Sequence, residues 1–185
     1  QPLTFHLNIT VLNFFTKALK QAGSISSCIE FGANVGMNLR ALKLLYPEIK
    51  LKGIEINESA AYELKELIGD SNVYLGSIFD WIPKDTFDLI LIKGVLIHIN
   101  PEKLNEVYKK LHDTSNRYIL LCEYYNPSPV AIPYRGQKDR LFKRDFAGEI
   151  LELYPDLSLI DYGFSYHRDI AFPQDDINWF LLKRL

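Results

Sequence analysis

The sequence predicts an α/β fold in which helices cover both faces of a mostly parallel β-sheet. Short apolar runs alternate with segments of helical periodicity along most of the chain, as is typical of βαβ units. The first apolar run ends in a glycine turn at residues 30–36, and a helical pattern begins directly after it. The last two apolar runs are joined by a hairpin-like connection, which predicts an antiparallel end to the sheet.

The composition is that of an ordinary globular protein. Hydrophobic residues make up 48% of the chain and charged residues 24%, which argues against disorder. With a net charge of −2, the chain lacks the excess of positive charge that is typical of nucleic-acid-binding proteins. No apolar run reaches the ~18 residues of a membrane span. There is no signal-peptide pattern, and Cys28 and Cys122 lie in apolar runs that favour buried reduced thiols. We therefore expect a cytoplasmic protein without a metal centre, a nucleic-acid partner or a membrane span.

The length of 185 residues suits one domain with a substantial core, so residues 1–185 are predicted to form a single domain. Residues 1–22 carry apolar side chains at helical spacing and predict a helix that packs on this domain. The chain does not begin with methionine, so we expect a native N-terminal segment to be missing.

The glycine turn predicts a ligand site. It reads E-F-G-A-N-V-G, so the G-x-G-x-x-G pattern of dinucleotide-binding turns is absent and only G-x-x-x-G remains. Gly32 and Gly36 permit positive φ and a close approach to the main chain. Asn34 is of the non-glycine type that best tolerates the left-handed region. The alternative is a strand–helix turn that binds nothing.

The second predicted strand, residues 51–56, ends in an acidic residue. Glu55 lies about 20 positions beyond the glycine turn, where a carboxylate accepts hydrogen bonds from ribose hydroxyls. The alternative is a solvated loop carboxylate. Asn57 is the predicted N-cap of the next helix, which ends at Gly69, and residues 73–75 form a short third strand.

The fourth predicted strand, residues 87–93, is almost continuously apolar, as expected of a central parallel strand. Ligands of such sheets bind beyond the carboxyl ends of the strands, which puts Lys93, Gly94 and His98 near the reaction site. Histidine titrates near neutrality and can accept a proton from an attacking hydroxyl. The alternative for His98 is a residue that satisfies backbone groups beneath the ligand.

A basic cluster follows the fifth predicted strand, residues 118–123, which ends in Glu123. Residues 127–133 hold three prolines and predict a stiff, non-helical connection. The basic cluster itself comprises Arg135, Lys138, Arg140, Lys143 and Arg144. It suits an anionic substrate, because arginine pairs with carboxylate and phosphate; the alternative is a solvated face of the following helix. Residues 157–166 and 178–184 are the sixth and seventh strands.

Five segments together resemble one family of enzymes. They read E-F-G-A-N-V-G-M-N, K-G-V-L-I-H-I-N-P, E-Y-Y-N-P-S-P-V-A-I-P-Y-R-G, L-F-K-R-D-F-A-G-E and D-D-I-N-W-F. The chain resembles the pseudaminic acid biosynthesis-associated methylases. These are class I S-adenosyl-L-methionine (SAM)-dependent methyltransferases of bacterial nonulosonic acid and surface-glycan biosynthesis.

The resemblance implies a three-layer Rossmann-like fold with a seven-stranded sheet, mostly parallel, whose last strand is antiparallel. It implies SAM as methyl donor, S-adenosylhomocysteine (SAH) as product, no metal, and a bacterial cytoplasmic setting. The implied acceptor is a hydroxyl or amine of an acidic or nucleotide-activated sugar, recognised by an insertion at residues 124–146. The implied cofactor-binding residues are Glu30, Gly32, Ala33, Asn34, Gly36, Asn38, Glu55, Ile56, Ser77, Ile78, Lys93 and Gly94. Among these, Ser77 and Ile78 occupy the positions that hold the adenine.

For the chemistry we predict His98 as general base, followed by Glu123 or His167. The predicted substrate-binding residues are Tyr124, Tyr125, Tyr134, Arg135, Lys143 and Arg144. Other hypotheses are a methyltransferase for another carboxylate-bearing metabolite or a protein side chain, and a SAM-binding accessory module without catalysis. A nicotinamide-dependent oxidoreductase is disfavoured by the missing glycine and by the antiparallel last strand.

Overall fold

A seven-stranded sheet forms the centre of the protein in a computed structural model, which describes residues 2–134 and 137–185. Side chains are described for residues 9–133 and 141–185. The strands of this sheet are β1 (Ser27–Phe31), β2 (Lys50–Glu55), β3 (Val73–Leu75), β4 (Phe87–Lys93), β5 (Ser115–Glu123), β8 (Leu157–Ser165) and β9 (Ile177–Arg184). A separate two-stranded sheet contains β6 (Val130–Tyr134) and β7 (Gln137–Lys143).

The helices are α1 (Pro2–Ala18), α2 (Met37–Leu45), α3 (Glu58–Ile68), α4 (Leu104–Thr114) and α5 (Phe146–Leu153). Short 3₁₀ turns lie at Asp70–Asn72, Leu96–His98 and Pro101–Lys103. None of the helices in the described part of the chain is long and apolar enough to cross a membrane.

The strand order is β3-β2-β1-β4-β5-β9-β8. Strands β1 to β5 pair in parallel, whereas β9 is antiparallel to both of its neighbours, β5 and β8. The predicted seven-stranded sheet with an antiparallel last strand is therefore confirmed. Because the chain order reverses between β1 and β4, their loops diverge and leave a crevice at the carboxyl ends of the strands.

Helices cover both faces of the sheet, which gives the three predicted layers. Strand β4 divides its side chains between the two faces. Leu89 and Leu91 pack with side chains of α1, α2 and α3, whereas Ile90 and Ile92 pack with those of α4 and α5. All four side chains are fully buried, which explains the continuous apolar run.

Several predicted boundaries differ from the structure. Strands β2, β5, β8 and β9 are shifted by one to three residues at one or both ends. The first helix ends at Ala18 rather than near residue 22. Residues 137–143 form a strand paired with β6, so the alternative in which the basic cluster lies on the face of the following helix is wrong for this stretch. The helix that follows, α5, begins at Phe146, where the Asp145 carboxylate accepts a hydrogen bond from Gly148 N at 2.8 Å. Strand β7 lies against the 3₁₀ turn Leu96–His98.

Candidate active site

A cavity of about 920 Å³ opens at the carboxyl ends of β1, β2 and β4, where the fold predicts a ligand site. Its wall contains ten of the twelve predicted cofactor-binding residues: Gly32, Ala33, Asn34, Asn38, Glu55, Ile56, Ser77, Ile78, Lys93 and Gly94. The structure therefore brings together residues from four separate loops. The assignment of these residues to a cofactor stays a prediction.

The turn after β1 is shaped by positive φ angles. Gly32 has φ 77° and donates its N–H to Ile54 O at 2.9 Å. A Cβ at Gly32 would lie 2.5 Å from Cγ2 of Val95, so only glycine fits beneath that side chain. Asn34 has φ 49°, the left-handed conformation expected of asparagine.

Gly36, although predicted to bind the cofactor, lies outside the cavity wall. It has φ 81°, and a Cβ there would approach methyl carbons of Leu64 and Leu67 to 2.7 Å. The glycine thus lets α3 pack closely against the turn. Packing of α3 on this turn therefore explains why position 36 requires glycine.

The Glu55 carboxylate ties two loops together on the cavity wall. One oxygen, Oε2, accepts a hydrogen bond from Asn34 N at 2.7 Å, and the other accepts one from Asn57 N at 2.7 Å. Each carboxylate oxygen has a second lone pair, so acceptor capacity remains for a ligand hydroxyl. The predicted N-cap is confirmed, since Asn57 Oδ1 accepts a bond from Ala60 N at 3.0 Å.

Glu30 lies fully buried behind the turn and outside the cavity wall. Its Oε1 accepts a hydrogen bond from Asn38 Nδ2 at 2.6 Å, whereas Oε2 has no partner among the described groups. Burial raises the pKa of Glu30 to about 8; the bond from Asn38 and the charge of Lys93 lower it, and Glu55 raises it further. A cationic ligand group nearby would favour the charged form of this carboxyl and lower its pKa.

The loop after β4 forms the opposite wall. Gly94 has φ 66°, and a Cβ built on it would meet no atom within 4 Å. A ligand can therefore approach the backbone closely there. His98 is exposed on this wall, and Lys93 extends its Nζ to 5.9 Å from the ring centroid of Phe14 on α1.

Of the three predicted acid–base residues, His98 alone lines the cavity. Glu123 is 2% exposed and lies beneath the loop after β4, where its Oε1 accepts bonds from the N–H groups of Val95 and Leu96. His167 lies at the start of the β8–β9 connection, with Nδ1 2.9 Å from a carboxylate oxygen of Asp176. Neither Glu123 nor His167 is on the cavity wall.

None of the predicted substrate residues with described side chains is on the cavity wall, and two of them, Lys143 and Arg144, make different kinds of contact. Lys143 is the last residue of β7, and its Nζ lies 5.0 Å from the ring centroid of Tyr124, which follows β5. Arg144 is held within the protein, because its Nε donates to Glu149 Oε1 at 2.5 Å and Glu149 Oε2 accepts from Tyr108 Oη at 2.7 Å. Thus Arg144 anchors the chain between β7 and α5.

The other predicted substrate residues are Tyr125, Tyr134 and Arg135. Tyr125 is 40% exposed, and its ring centroid lies 5.9 Å from that of Phe180. Tyr134 and Arg135 lie outside the residues whose side chains are described.

Sequence reasoning missed several wall residues. The first two turns of α3 contribute Ser59, Ala60 and Glu63, whose spacing places them on one helical face directly after the Glu55 loop. That spacing could have predicted from the sequence that these residues line the site. Val11 of α1 also reaches the wall, and nothing in the local sequence separates it from the other apolar residues of its helix. Within the described residues, no group of three or more His, Cys, Asp or Glu side chains is placed to hold a metal ion.

Comparison with known proteins identifies the fold. No protein-family model matches the chain, and no curated protein matches it. Among solved structures, the mitomycin 7-O-methyltransferase MmcR matches with a TM-score of 0.69 at 14% identity, covering 96% of this chain and 54% of that one. The magnesium protoporphyrin IX methyltransferase ChlM from Synechocystis PCC 6803, with bound SAM, gives 0.68 at 15% identity, covering 98% and 81%.

The glycopeptide N-methyltransferase MtfA complexed with SAM gives a TM-score of 0.67 at 10% identity, covering 95% of this chain and 93% of that one. This chain spans about half the length of MmcR and about four fifths of the length of ChlM. The chain therefore has the Rossmann-like fold of class I SAM-dependent methyltransferases.

We expect Glu30→Gln to flatten the dependence of stability on pH. The folded-state pKa of Glu30 is about 8 against an ordinary 4.5, so the stability contributed by its protonated form is complete below about pH 4.5 and lost as pH rises through 8. Glutamine stays neutral throughout. The variant should exceed the parent in Tm by several °C at pH 9, since 1 kcal/mol corresponds to about 2–4 °C in a chain of this size.

Thermal unfolding at pH 5, 7 and 9 provides the measurement. Exposed Glu66→Gln on α3 is the control and should leave the pH profile unchanged. A Glu30→Gln profile parallel to that of the parent would contradict the assignment.

Proposed function

We propose that this chain is an enzyme that transfers a methyl group from SAM to a hydroxyl or amine of a small acidic acceptor. One observation carries the proposal: the cavity joins the turn after β1, Glu55, the Ser77–Ile78 loop and Gly94 in a fold shared with structures solved with SAM or SAH. Structural similarity at these low sequence identities shows the fold alone, so the residues of the cavity are what support the proposed activity.

The residues around the cavity fit the three chemical parts of SAM. Glu55 would accept hydrogen bonds from the ribose hydroxyls, as strand-end carboxylates of related folds do. The buried Glu30 carboxyl, with one oxygen unpartnered, would balance the amino group of the methionine part. Ile78 and Ser77 would hold the adenine; the Ser77 hydroxyl already accepts a bond from Phe79 N at 3.2 Å, which orders the loop.

SAM, when bound, supplies an electrophilic methyl group on a positively charged sulfur. The tasks left to the chain are to align the acceptor with that methyl, to exclude water and to receive a proton. Gly94 leaves room beside the wall for the reacting atoms. His98 is the acid–base group that we assign to the proton of an acceptor hydroxyl, because it lies on the same wall.

For the acceptor we propose an acidic or nucleotide-activated sugar of bacterial nonulosonic acid biosynthesis. The resemblance of the five sequence segments supports this class. The position of Lys143 also supports it. Lys143 ends β7, its ammonium group lies over the ring of Tyr124 after β5, and β7 packs on the turn that ends in His98. The neighbouring structures are named for acceptors as different as mitomycin and a glycopeptide, so the fold by itself does not select one.

Calorimetric titration with SAH tests the cofactor. The parent chain should bind, and Glu55→Ala should bind at least about 10-fold more weakly, because a hydrogen bond to a charged group contributes about 1.5–3 kcal/mol. Gly32→Val should abolish binding, since its side chain would displace Val95. The exposed Glu66→Gln variant serves as the matched control. A folded parent chain that fails to bind SAH would overturn the proposed cofactor.

The His98→Asn variant tests the proton acceptor. We expect kcat to fall by about 10²–10⁴ with a hydroxyl acceptor, while SAH affinity stays within about twofold. The measurement is SAH release with nucleotide-activated acidic sugars as acceptors, and Tyr62→Phe, exposed on α3, controls for handling. Full turnover by His98→Asn would remove this residue from the chemistry.

Lys143→Met and Arg144→Met separate recognition of the acceptor from folding. The Lys143 variant should raise KM for an acidic acceptor about 10-fold and leave Tm unchanged. The Arg144 variant should lower Tm by several °C, because it leaves the part-buried Glu149 carboxylate, which also accepts from Tyr108 Oη, without its cationic partner. Exposed Lys84→Met is the control for loss of one positive charge. An unchanged KM in Lys143→Met would argue against an acidic acceptor at this position.

A further inference from the structure

Glu123 is the last residue of β5, and its carboxylate lies under a loop that belongs to β4. Oε1 accepts hydrogen bonds from Val95 N at 2.9 Å and from Leu96 N at 3.0 Å. Two successive N–H groups thus bind one oxygen of a buried carboxyl group, as in a backbone nest, and its other oxygen, Oε2, has no hydrogen-bond partner among the described groups.

These contacts supply what the loop lacks locally. The 3₁₀ turn Leu96–His98 has no side-chain cap of its own, so its first N–H groups need an acceptor from elsewhere. The acceptor comes from a residue 28 positions further along the chain than Val95. The conformation of this loop is therefore set by the neighbouring strand.

The same loop carries part of the cavity wall. Gly94, Val95 and His98 line the cavity, and the Val95 side chain covers Gly32 of the turn after β1. His98 N donates to Val95 O at 2.9 Å, which links the general-base candidate to the residue that Glu123 holds. A displacement of Val95 would change both the glycine turn and the position of His98.

We propose that Glu123 is a positioning residue: by binding the N–H groups of Val95 and Leu96, it fixes the wall on which His98 and Gly94 meet the ligand. Its bearing on methyl transfer rests on the proposed function, whereas its grip on the loop does not.

The charge of Glu123 matters for this role, since a carboxylate accepts hydrogen bonds about twice as strongly as a neutral carbonyl. Burial raises its pKa to about 7, while the loop N–H groups and Lys93 of β4 lower it. Cys122 of β5 and Tyr108 of α4 also lie near this carboxyl, and burial raises the pKa of both, which keeps them neutral at pH 7. Glu30 of β1 and His98 on the loop itself are further titratable groups of this region. The hold on the loop should therefore weaken as pH falls from 8 to 6.

Amide hydrogen exchange of the full chain tests the proposal directly. In Glu123→Ala, the amides of Val95 and Leu96 should exchange at least 10-fold faster, while those of Ile90 and Ile92 in β4 keep the parent rate. In the parent, protection of these loop amides, corrected for intrinsic exchange, should fall between pH 8 and pH 6. Glu123→Gln, which keeps the shape and an acceptor oxygen, should show intermediate protection without that pH dependence.

Asp88→Asn is the matched control, because it neutralises another part-buried carboxylate, whose two hydrogen bonds from Ser26 lie at the opposite, amino end of β4. It should leave the loop amides unchanged. Parent-like protection in Glu123→Ala, or a pH dependence that persists in Glu123→Gln, would overturn the proposal.

SAH affinity supplies the link to the cavity and should fall about 10-fold in Glu123→Ala. An affinity equal to that of the parent, despite a loosened loop, would contradict that link. If the parent itself fails to bind SAH, the proposed function falls, and the exchange data still decide whether Glu123 holds the loop.

Discussion

The carboxyl edge of the sheet depends on hydrogen bonds from loop donors to buried carboxylates near the ends of three strands. Glu30, Glu55 and Glu123 are 0%, 7% and 2% exposed, and each accepts bonds from a neighbouring loop or helix. Loops at this edge leave N–H groups that the strand ladder cannot satisfy, and a carboxylate offers about four acceptor sites in a small volume. Without these carboxyl groups, the loops would still border the cavity, but these hydrogen bonds would no longer fix their positions relative to one another.

Burying these carboxyl groups lowers the stability of the folded state, while their hydrogen bonds hold the loops of the site in place. Burial raises the pKa of Glu30 to about 8 and that of Glu123 to about 7, so both carboxylates are destabilised when charged. Lys93 lowers the pKa of both and lies between them on the central strand. Glu30 is therefore largely uncharged at neutral pH until a cation binds beside it, whereas Lys143 brings positive charge to the side of the cavity that we assign to the acceptor. Local departures from the most stable choice are expected at functional sites.

The central sheet was largely predictable, because buried parallel strands are continuous apolar runs. The predicted third and fourth strands coincide with Val73–Leu75 and Phe87–Lys93. The β6–β7 hairpin was missed for a physical reason: β6 contains Pro133, and β7 is rich in charge, and both features argue against a strand in sequence. Pairing between the two segments and packing of β7 on the turn at Leu96–His98 overrode those local preferences.

The sequence by itself determined the order of the elements, the glycine turn and the set of polar residues at the strand ends, since these follow from periodicity and backbone conformation. Only the tertiary structure decided what each polar side chain faces. It directed His98 to the cavity and Glu123 to the loop beneath it, and it committed Arg144 to Glu149. The reason is that side chains alternate between the faces of a strand and their partners come from distant segments, so one position along the chain decides between ligand, loop and core.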